Sequence, residues 1–355
     1  MKLFEEMTGH GHERVCCFHD AETGLRAIIA VHSTALGNAL GGTRRWHYAD
    51  EADAMRDVLR LSEGMTYKSA CAGLTMGGAK SVILLPQPNA VATEAEARAM
   101  GRFVDTLEGV YIAAEDVGVN EQFIDWMSHE TNHCMGGTAD GHGGDPSPHT
   151  ALGTFRGMQA ALEHAGIDNF AGLTVAIQGV GSVGAHLAQL LHEHGAELIV
   201  ADINDQAVNR LVDTCNAQGV GVDDILTVEC DVLAPCAMGA AIGRQNISDL
   251  RTKIICGAAN NQLERPAEDG ELLRDRGILY APDFIVNAGG VIHLAGLHLG
   301  MTPNELAAKI DEIESTTAHV LEVAAETGST PEQVAVQLAR HRVATGSTEE
   351  RLHAH

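Results

Sequence analysis

The sequence predicts an α/β protein of two domains, the second of which is a doubly wound parallel sheet of the Rossmann type. Three observations support this fold class. The chain has 355 residues, more than a single hydrophobic core usually organises. Apolar strand-like runs alternate with helical segments in its second half. One such run leads into Gly179-x-Gly181-x-x-Gly184, the pattern that joins the first strand of such a sheet to its helix.

Composition narrows the classes of partner and compartment. The net charge of −25 argues against a nucleic-acid or anionic-membrane partner. The longest uncharged stretches, 172–192 and 284–304, are interrupted by Gly, Asn, His or Pro and are poor membrane spans. The eight cysteines form no Cys-x-x-Cys pair, and the first residues lack the apolar core of a signal peptide. We therefore expect a protein of the reducing cytoplasm.

The first part of the chain alternates between strands and helices. The predicted elements are a strand at 26–31, a glycine-rich loop at 39–44, a helix at 51–64, a strand at 81–86, a helix at 93–109 and a strand at 110–114. Thr93 and Glu96 form a capping box for the second helix. The last strand ends in Glu115 and Asp116, and carboxylates just past a strand end suit a ligand site. A turn role for Asp116 before Gly118 is the alternative.

Two lysines stand out in the stretch from Met65 to Ser81. Lys68 and Lys80 have only small or apolar neighbours in sequence and no other charge within the stretch. Removing a lysine from water without a counter-charge lowers its pKa and makes it a candidate general base. The glycines before Lys80 would let a ligand approach the backbone. The alternative is a pair of surface lysines beside a flexible turn.

A change of composition marks the boundary between the domains. Residues 132–149 are rich in Gly and Pro and are predicted to be a linker. The predicted domains are 1–145 and 146–330, followed by a C-terminal helix within 331–355 that packs back near the first domain.

The second domain is predicted to continue the alternation. Its elements are a helix at 147–166, strands at 173–178, 197–201, 228–232, 253–256 and 277–280, a helix at 185–194 between the first two strands, and two terminal helices that start at Pro303 and Pro331. Strand ends near Asp231, Ala258–Asn261 and Asn287 are expected at the carboxyl edge, where such sheets bind ligands. Helix caps or turns are the alternative for the asparagines.

The glycine motif has the context that a dinucleotide site requires. Gly179 permits the tight turn, Gly181 lets a pyrophosphate reach the backbone, and Gly184 packs the helix on the strand. Asp202 follows the next strand, 18 residues beyond the last glycine. Its carboxylate would accept hydrogen bonds from the adenosine ribose and repel a 2′-phosphate, which favours NAD over NADP. A structural glycine turn without a nucleotide is the alternative.

Several motifs, taken in order, resemble the amino-acid dehydrogenase superfamily, specifically the leucine, valine and phenylalanine dehydrogenases. They are Leu40-Gly-Gly-Thr-Arg44, Thr66-Tyr-Lys68, Met76-Gly-Gly-Ala-Lys80, Ala114-Glu-Asp-Val-Gly118, Gly144-Asp-Pro-Ser-Pro148, Gln178-Gly-Val-Gly181, Gly257-Ala-Ala-Asn-Asn-Gln262 and Pro282-Asp-Phe-Ile-Val-Asn-Ala-Gly-Gly-Val291. The resemblance covers nearly the whole chain. It implies an N-terminal substrate and oligomerisation domain and an NAD-binding domain, separated by a cleft.

The resemblance also implies roles for individual residues. Lys80 is similar to the general base that acts through a water, and Asp116 to the carboxylate that exchanges a proton with the amino group. Lys68 resembles the lysine that holds the substrate α-carboxylate. The implied substrate-binding residues are Lys68, Leu40, Gly41, Gly42, Ala114, Asn261, Val291 and Leu294. The implied cofactor-binding residues are Thr150, Gly179, Val180, Gly181, Ser182, Val183, Gly184, Asp202, Ile203, Asp231, Ala258, Asn260 and Asn287.

The activity expected from this resemblance is NAD-dependent, reversible oxidative deamination of a branched-chain aliphatic L-amino acid to the 2-oxo acid and ammonia. Glutamate-specific relatives have a lysine at the position of Leu40 and a serine at that of Leu294, so two leucines would leave a buried carboxylate unpaired. Val291 resembles the leucine and valine enzymes, whereas Leu294 is closer to some phenylalanine enzymes. Phenylalanine dehydrogenase is therefore the alternative.

Two alternatives come from other classes. A non-catalytic NAD-binding regulatory protein would be expected to lack Lys80 or Asp116, and both are present. A 2-hydroxy-acid dehydrogenase would need a His base and an Arg clamp, and no such pair occurs near the motifs. No metal site is expected, because His10-Gly-His12 and His192-x-His194 lack a nearby third ligand. The expected partners are small molecules and further copies of the chain in a homo-oligomer.

Overall fold

The computed structural model describes residues 2–138, 143–237 and 239–347, and the chain divides into two compact units. Within the described residues, the first unit comprises 2–138, 143–145, 293–302 and 339–347, and the second comprises 146–237, 239–292 and 303–338. Among these residues, no helix has the length and apolar composition needed to cross a membrane.

The first unit is built on a five-stranded mixed sheet. Its strands are β1 (Arg14–His19), β2 (Arg26–Ser33), β3 (Ala39–Trp46), β4 (Gly77–Leu84) and β5 (Tyr111–Glu115), and its helices are α1 (Leu3–His10), α2 (Glu51–Cys71), α3 (Glu94–Asp105) and α4 (Glu121–Met127). The strand order is β1-β2-β4-β3-β5. The β4, β3 and β5 strands are parallel, so their carboxyl ends meet at one edge.

Several of the predicted elements in this unit have wrong boundaries, and the helix predicted at 93–109 already ends at Asp105. The glycine-rich run at 39–44 was expected to be a loop but lies in β3, and β4 already begins at Gly77. Glycine weakens a strand locally, so its presence favours a loop prediction. The predicted helix 51–64 continues to Cys71, because buried residues such as Thr66 and Ser69 pack its second half on β4, and this packing outweighs the low helix propensity of Gly64. Lys80 therefore lies in a strand and Lys68 in a helix.

The second unit holds a six-stranded sheet whose paired strands are all parallel. Its strands are β6 (Thr174–Gln178), β7 (Glu197–Ala201), β8 (Gln218–Gly219), β9 (Val232–Pro235), β10 (Ile254–Ile255) and β11 (Leu279–Tyr280), in the order β11-β10-β9-β6-β7-β8. Its helices include α5 (Ser147–His164), α6 (Ser182–Glu193), α7 (Asp205–Cys215), α8 (Pro266–Asp275), α9 (Asp283–Val286) and α11 (Pro303–Thr327). The predicted doubly wound α/β class is confirmed. The chain leaves β6 on one side for β7 and later adds β9 on the other, so the order reverses at β6.

The first unit also contains two segments that lie outside residues 1–145, namely 293–302 and 339–347. In helix α10 (Gly289–His298), the ring Nε2 of His293 lies 2.7 Å from the carbonyl oxygen of Gly143. In helix α12 (Pro331–Thr345), Arg342 Nη1 donates to the carbonyl of Ala70 at 2.8 Å. The contact of His293 has no local sequence signal, whereas that of Arg342 lies in the C-terminal helix that was predicted to pack near the first domain. Residues 348–355 of the predicted C-terminal helix and 139–142 of the predicted linker lie outside the described residues.

Candidate functional site

Lys80 and Asp116 form a largely buried ion pair beside the carboxyl end of β5. Lys80 lies on β4, and Asp116 comes directly after β5. Lys80 Nζ is 3.1 Å from Asp116 Oδ2, and the two side chains are 6% and 16% exposed. A lysine and a carboxylate that are far apart in sequence thus meet because β4 and β5 flank the same strand.

Gly42, on the strand between them, makes room for this pair. A Cβ atom at this position would lie 2.8 Å from the Cβ of Asp116 and 3.1 Å from Lys80 Nζ. At its neighbour Gly41, a Cβ would lie 1.7 Å from the carbonyl oxygen of Ala79. Both glycines are therefore required by close approach within the sheet.

Burial and neighbouring charges change the ionisation of both groups. Burial is the main cause that lowers the pKa of Lys80, and the positive charge of Arg44 lowers it further, against the opposing effect of Asp116. Burial alone would raise the pKa of Asp116, but Lys80 and Arg44 outweigh it and lower this pKa to about 2. Asp116 is therefore a carboxylate over the physiological range, and Lys80 loses its proton more readily than an ordinary lysine.

Lys68 is positioned by the helix that packs on the strand of Lys80. It lies in the last turns of α2 and is buried. A Cβ atom at Gly78 would lie 2.0 Å from the backbone nitrogen of Thr66, so the helix backbone rests directly on β4 at that glycine. The two lysines thus come from elements in direct contact.

The apolar candidates of the first unit are buried side chains. Leu40 is 1% exposed, Ala114 5% and Leu294 7%. Leu294 is close to Gly143, where an added Cβ would lie 3.0 Å from its Cδ2. Val291 and Asn261 belong to the second unit. Asn261 has a positive φ of 53°, an unusual backbone conformation for a residue other than glycine.

In the second unit, the three motif glycines have three different surroundings. Gly179 has φ +90°, and a Cβ there would lie 2.7 Å from that of Ala237. A Cβ at Gly184 would lie 2.1 Å from the carbonyl oxygen of Gly179, whereas nothing lies within 4 Å of one at Gly181. The first and third glycines therefore make the tight turn and close packing, and the second leaves open space before helix α6.

Asp202 is tied to this glycine turn. Its Oδ2 accepts a hydrogen bond from the backbone nitrogen of Val180 at 2.7 Å, and its Oδ1 accepts one from that of Asn204 at 2.8 Å. The side chain of Ile203 between them is 92% exposed. Ser182 and Val183 form the first turn of α6. The carboxylate is thus fixed beside the turn by the backbone.

The remaining cofactor candidates lie around α5 and the end of β10. Thr150 Oγ1 donates to the carbonyl of Pro146 at 3.1 Å in the first turn of α5. The buried Asn287 Nδ2 donates to the carbonyl of Ala258 at 3.2 Å and to Asn260 Oδ1 at 2.9 Å. Asn287 therefore holds the segment that carries Ala258 and Asn260 in place.

The predicted placement of Asp231 is wrong. The strand expected at 228–232 begins only at Val232, so Asp231 precedes β9 and lies at the amino edge of the sheet. Its carboxylate accepts hydrogen bonds from the Thr174 backbone nitrogen and from Lys253 Nζ. Cys236 and Ala237 take the carboxyl-edge position instead. The apolar run that ends at Pro235 was the available signal for them.

Glu115, beside Asp116, was not among the predicted site residues. Burial, followed by the charges of Glu121, Asp145 and Asp125, raises its pKa to about 7. Its Oε1 is buried, and no hydrogen-bond partner for it occurs in the described part of the chain. The pair of adjacent carboxyl residues after a buried strand was the signal that could have identified it.

Among the histidines singled out in the sequence, His12 contacts other groups of the protein. The buried His12 ring lies 2.9 Å from Ser62 Oγ and 3.1 Å from the carbonyl oxygen of Leu59. In the residues described here, no group of three or more His, Cys, Asp or Glu side chains is arranged to hold a metal ion.

Known proteins are similar to this chain over nearly its whole length. The profile of the family described as "Glu/Leu/Phe/Val dehydrogenase, dimerisation domain" matches residues 12–133. The profile described as "Glutamate/Leucine/Phenylalanine/Valine dehydrogenase" matches residues 143–208 and 202–350. Leucine dehydrogenase of Bacillus cereus is 44% identical over 347 residues, which are 97% of this chain and 94% of the relative.

Relatives with other substrates are similar as well. Valine dehydrogenase of Streptomyces virginiae is 42% identical over 346 residues, 96% of each chain. The crystal structure of L-tryptophan dehydrogenase from Nostoc punctiforme matches with a TM-score of 0.84 and 37% identity, covering 97% of this chain and 99% of that one. The similarity thus extends across relatives that are named for different amino acids.

Proposed function

This chain belongs to the glutamate/leucine/phenylalanine/valine dehydrogenase family and is an amino-acid dehydrogenase; we propose that it catalyses the NAD-dependent, reversible oxidative deamination of a branched-chain aliphatic L-amino acid. The products are the 2-oxo acid and ammonia. The observation that carries this proposal is the Lys80–Asp116 ion pair of 3.1 Å, in which a lysine of lowered pKa meets an ionised carboxylate.

The reaction needs one group that takes a proton from the substrate ammonium, a second that takes a proton from water, and a third that binds the substrate α-carboxylate. Asp116 is ionised and takes a proton from the substrate ammonium group, which leaves the amine that can lose hydride from its α-carbon. Neutral Lys80 then removes a proton from the water that attacks the resulting imine. Lys68 holds the α-carboxylate by charge. Asp116 finally returns its proton to the nitrogen of the carbinolamine, and ammonia departs as the carbinolamine hydroxyl releases its proton to solvent and becomes the carbonyl.

The glycine turn and Asp202 fit a dinucleotide. The open space at Gly181 leaves backbone N–H groups at the start of α6 accessible to phosphate oxygens. When bound, NAD supplies the acceptor for the hydride. Asp202 would bind the adenosine ribose and repel a 2′-phosphate. Thr150 would contact the nicotinamide amide.

Replacing Asp202 with alanine is expected to weaken NAD binding by about tenfold or more, since a charged hydrogen bond contributes roughly 1.5–3 kcal/mol. The preference for NAD over NADP should fall with it. Asp202→Asn should relax the preference as well, because it removes the charge that repels a 2′-phosphate. Isothermal titration with each cofactor measures both effects.

Asp205→Ala is the matched control for this experiment, because it removes an exposed carboxylate three residues away at the start of α7. It should leave the NAD/NADP ratio unchanged. Equal ratios in wild type, Asp202→Ala and Asp202→Asn would place the ribose elsewhere.

A buried apolar environment supports an apolar substrate side chain. Leu40 and Leu294 are buried and carry no charge that could pair with a second substrate carboxylate. The resemblance of Val291 to the leucine and valine enzymes favours a branched side chain over a long one. Leu294 favours phenylalanine, which remains the second candidate because one methylene changes specificity by only ~1–3 kcal/mol.

We expect kcat/KM for L-leucine to exceed that for L-phenylalanine. NADH formation at alkaline pH with L-leucine, L-valine, L-isoleucine, L-phenylalanine, L-tryptophan and L-glutamate measures it, with glutamate the poorest substrate. A leucine to phenylalanine ratio well below one would instead identify a phenylalanine enzyme. If NAD binds but none of the six amino acids is oxidised, the alternative of a non-catalytic regulatory protein would be supported.

The remaining parts of the proposal concern assembly and compartment. A homo-oligomer is expected, since the matching family profile is described as a dimerisation domain. All eight cysteines are free thiols, which agrees with a reducing cytoplasm.

A further inference from the structure

Arg44 on β3 connects the catalytic carboxylate to a second carboxylate on α2. Its Nε donates to Asp116 Oδ2 at 2.8 Å, and its Nη1 donates to Asp57 Oδ2 at 3.0 Å. Asp57 in turn accepts hydrogen bonds from Tyr48 Oη at 2.8 Å and from Arg60 Nη2 at 3.1 Å. The side chains of Arg44, Asp57 and Asp116 are only 16–21% exposed. The guanidinium is therefore held from both sides in one orientation.

Both cations around Asp116 bind the same oxygen. Lys80 Nζ and Arg44 Nε lie 3.1 and 2.8 Å from Oδ2. Oδ1 receives no hydrogen bond from any residue in the described part of the chain. A carboxylate held through one oxygen presents the other, with its lone pairs, to a further donor.

We propose that Arg44 is a positioning residue that holds Asp116 through Oδ2, leaves Oδ1 for the substrate amino group, and keeps Lys80 able to release its proton. This inference rests on the proposed function, because it assigns the substrate amine to Oδ1. Nothing in the resemblance to known families assigned a role to this arginine.

The charges around Lys80 explain the second part of the proposal. Asp116 after β5 pairs with the ammonium, and the charges of Arg44 on β3 and Asp57 on α2 also act on it. Tyr48 donates to Asp57, and the charge of Asp116 acts on Tyr111. Without Arg44, Lys80 would be the only cation on the Asp116 carboxylate among the described residues and would keep its proton more firmly. Arg44 is a permanent cation that shares this carboxylate. It lowers the pKa of Lys80, whereas Asp57 raises it.

These opposite effects permit a paired test. In Arg44→Met, the acidic limb of the plot of kcat/KM against pH should move to higher pH. At pH 8, kcat/KM should be about tenfold or more below that of wild type, and this difference should shrink as the pH rises. In Asp57→Asn, the same limb should move to lower pH. Arg44→Lys keeps the positive charge, but the lysine side chain reaches only one of the two carboxylates. The acidic limb of kcat/KM for this variant should therefore stay near that of wild type, while its kcat falls.

Arg56→Met is the matched control, since the exposed Arg56 on α2 pairs with Asp53 and with no member of the Arg44 network among the described residues. Its profile should coincide with that of wild type. The ionisation of Lys80 is followed separately by the rate of its acetylation across pH, which mass spectrometry resolves because the chain has only five lysines. This readout requires no turnover.

The outcomes separate the two proposals. Absence of amino-acid deamination by wild type would overturn the proposed function, while the acetylation profiles would still report whether Arg44 controls Lys80. If wild type turns over, coincident limbs and acetylation profiles in wild type and Arg44→Met would overturn the role of Arg44. An equal loss in Arg56→Met would do the same, because it would show a general effect on the fold. Opposite shifts in Arg44→Met and Asp57→Asn support the role.

Discussion

Replacing Lys80 with alanine is expected to lower kcat for oxidative deamination by about 10²–10⁴-fold, the range that positioned acid–base groups usually contribute. The physical reason is that Lys80 is buried, has a lowered pKa and lies 3.1 Å from the carboxylate that exchanges the substrate proton. Steady-state NADH formation with L-leucine measures the loss. Ethylamine added to the mutant should restore part of the rate, since a small amine can replace the missing base.

NAD affinity should be unchanged in Lys80→Ala, because the glycine turn and Asp202 belong to the other unit. Lys309→Ala is the matched control: Lys309 pairs with Glu312 on α11, outside the candidate site. A Lys80→Ala enzyme with wild-type kcat would remove the role of Lys80 as the base. A loss in Lys309→Ala as large as that in Lys80→Ala would point to a defect in folding.

Asp116→Asn is the second change with a large expected effect, also about 10²–10⁴-fold on kcat. The amide keeps the shape of the side chain but cannot accept the substrate proton. It also removes the negative charge that raises the pKa of Lys80. The residual activity should therefore show its acidic limb at lower pH than wild type, which a pH series of kcat/KM measures.

This pair of effects distinguishes a lost proton acceptor from a lost fold. A structural defect would lower kcat without moving the limb toward lower pH. Glu94→Gln makes the same chemical change at an exposed side chain of α3 and should alter neither quantity. Wild-type turnover in Asp116→Asn would show that another group accepts the proton, and the neighbouring Glu115, with its pKa of about 7, would be the first to examine.

Local patterns predicted most elements of the second unit because each follows from near neighbours. The strand before Gly179, the helix after Gly184 and the acid after the next strand occur in order, as the predicted sheet requires. The start of β9 was misplaced, because Val228 and Val232 give apolar character to residues on both sides of Asp231. Apolar character alone does not distinguish a strand from the turn that precedes it.

The first unit was harder to predict because its glycines serve packing between elements. Gly41 and Gly42 were assigned to a loop, yet they lie in a strand where neighbouring backbone and side chains approach too closely for a Cβ atom. Such an approach depends on which strands pair, and pairing joins residues that are distant in sequence. The same reason hid the contact of His293 with Gly143.

Short-range patterns predict the α/β class, the family, the two lysines and the carboxylate of the candidate site, and the glycine turn beside Asp202. These are encoded in residue types at short, ordered spacings. Local spacing does not show that Lys80 and Asp116 meet across β3, that Arg44 binds the same carboxylate oxygen, or that Asp231 lies at the opposite edge of its sheet. Distances between such residues are set by strand order and by the burial of charge, which arise when the whole chain packs.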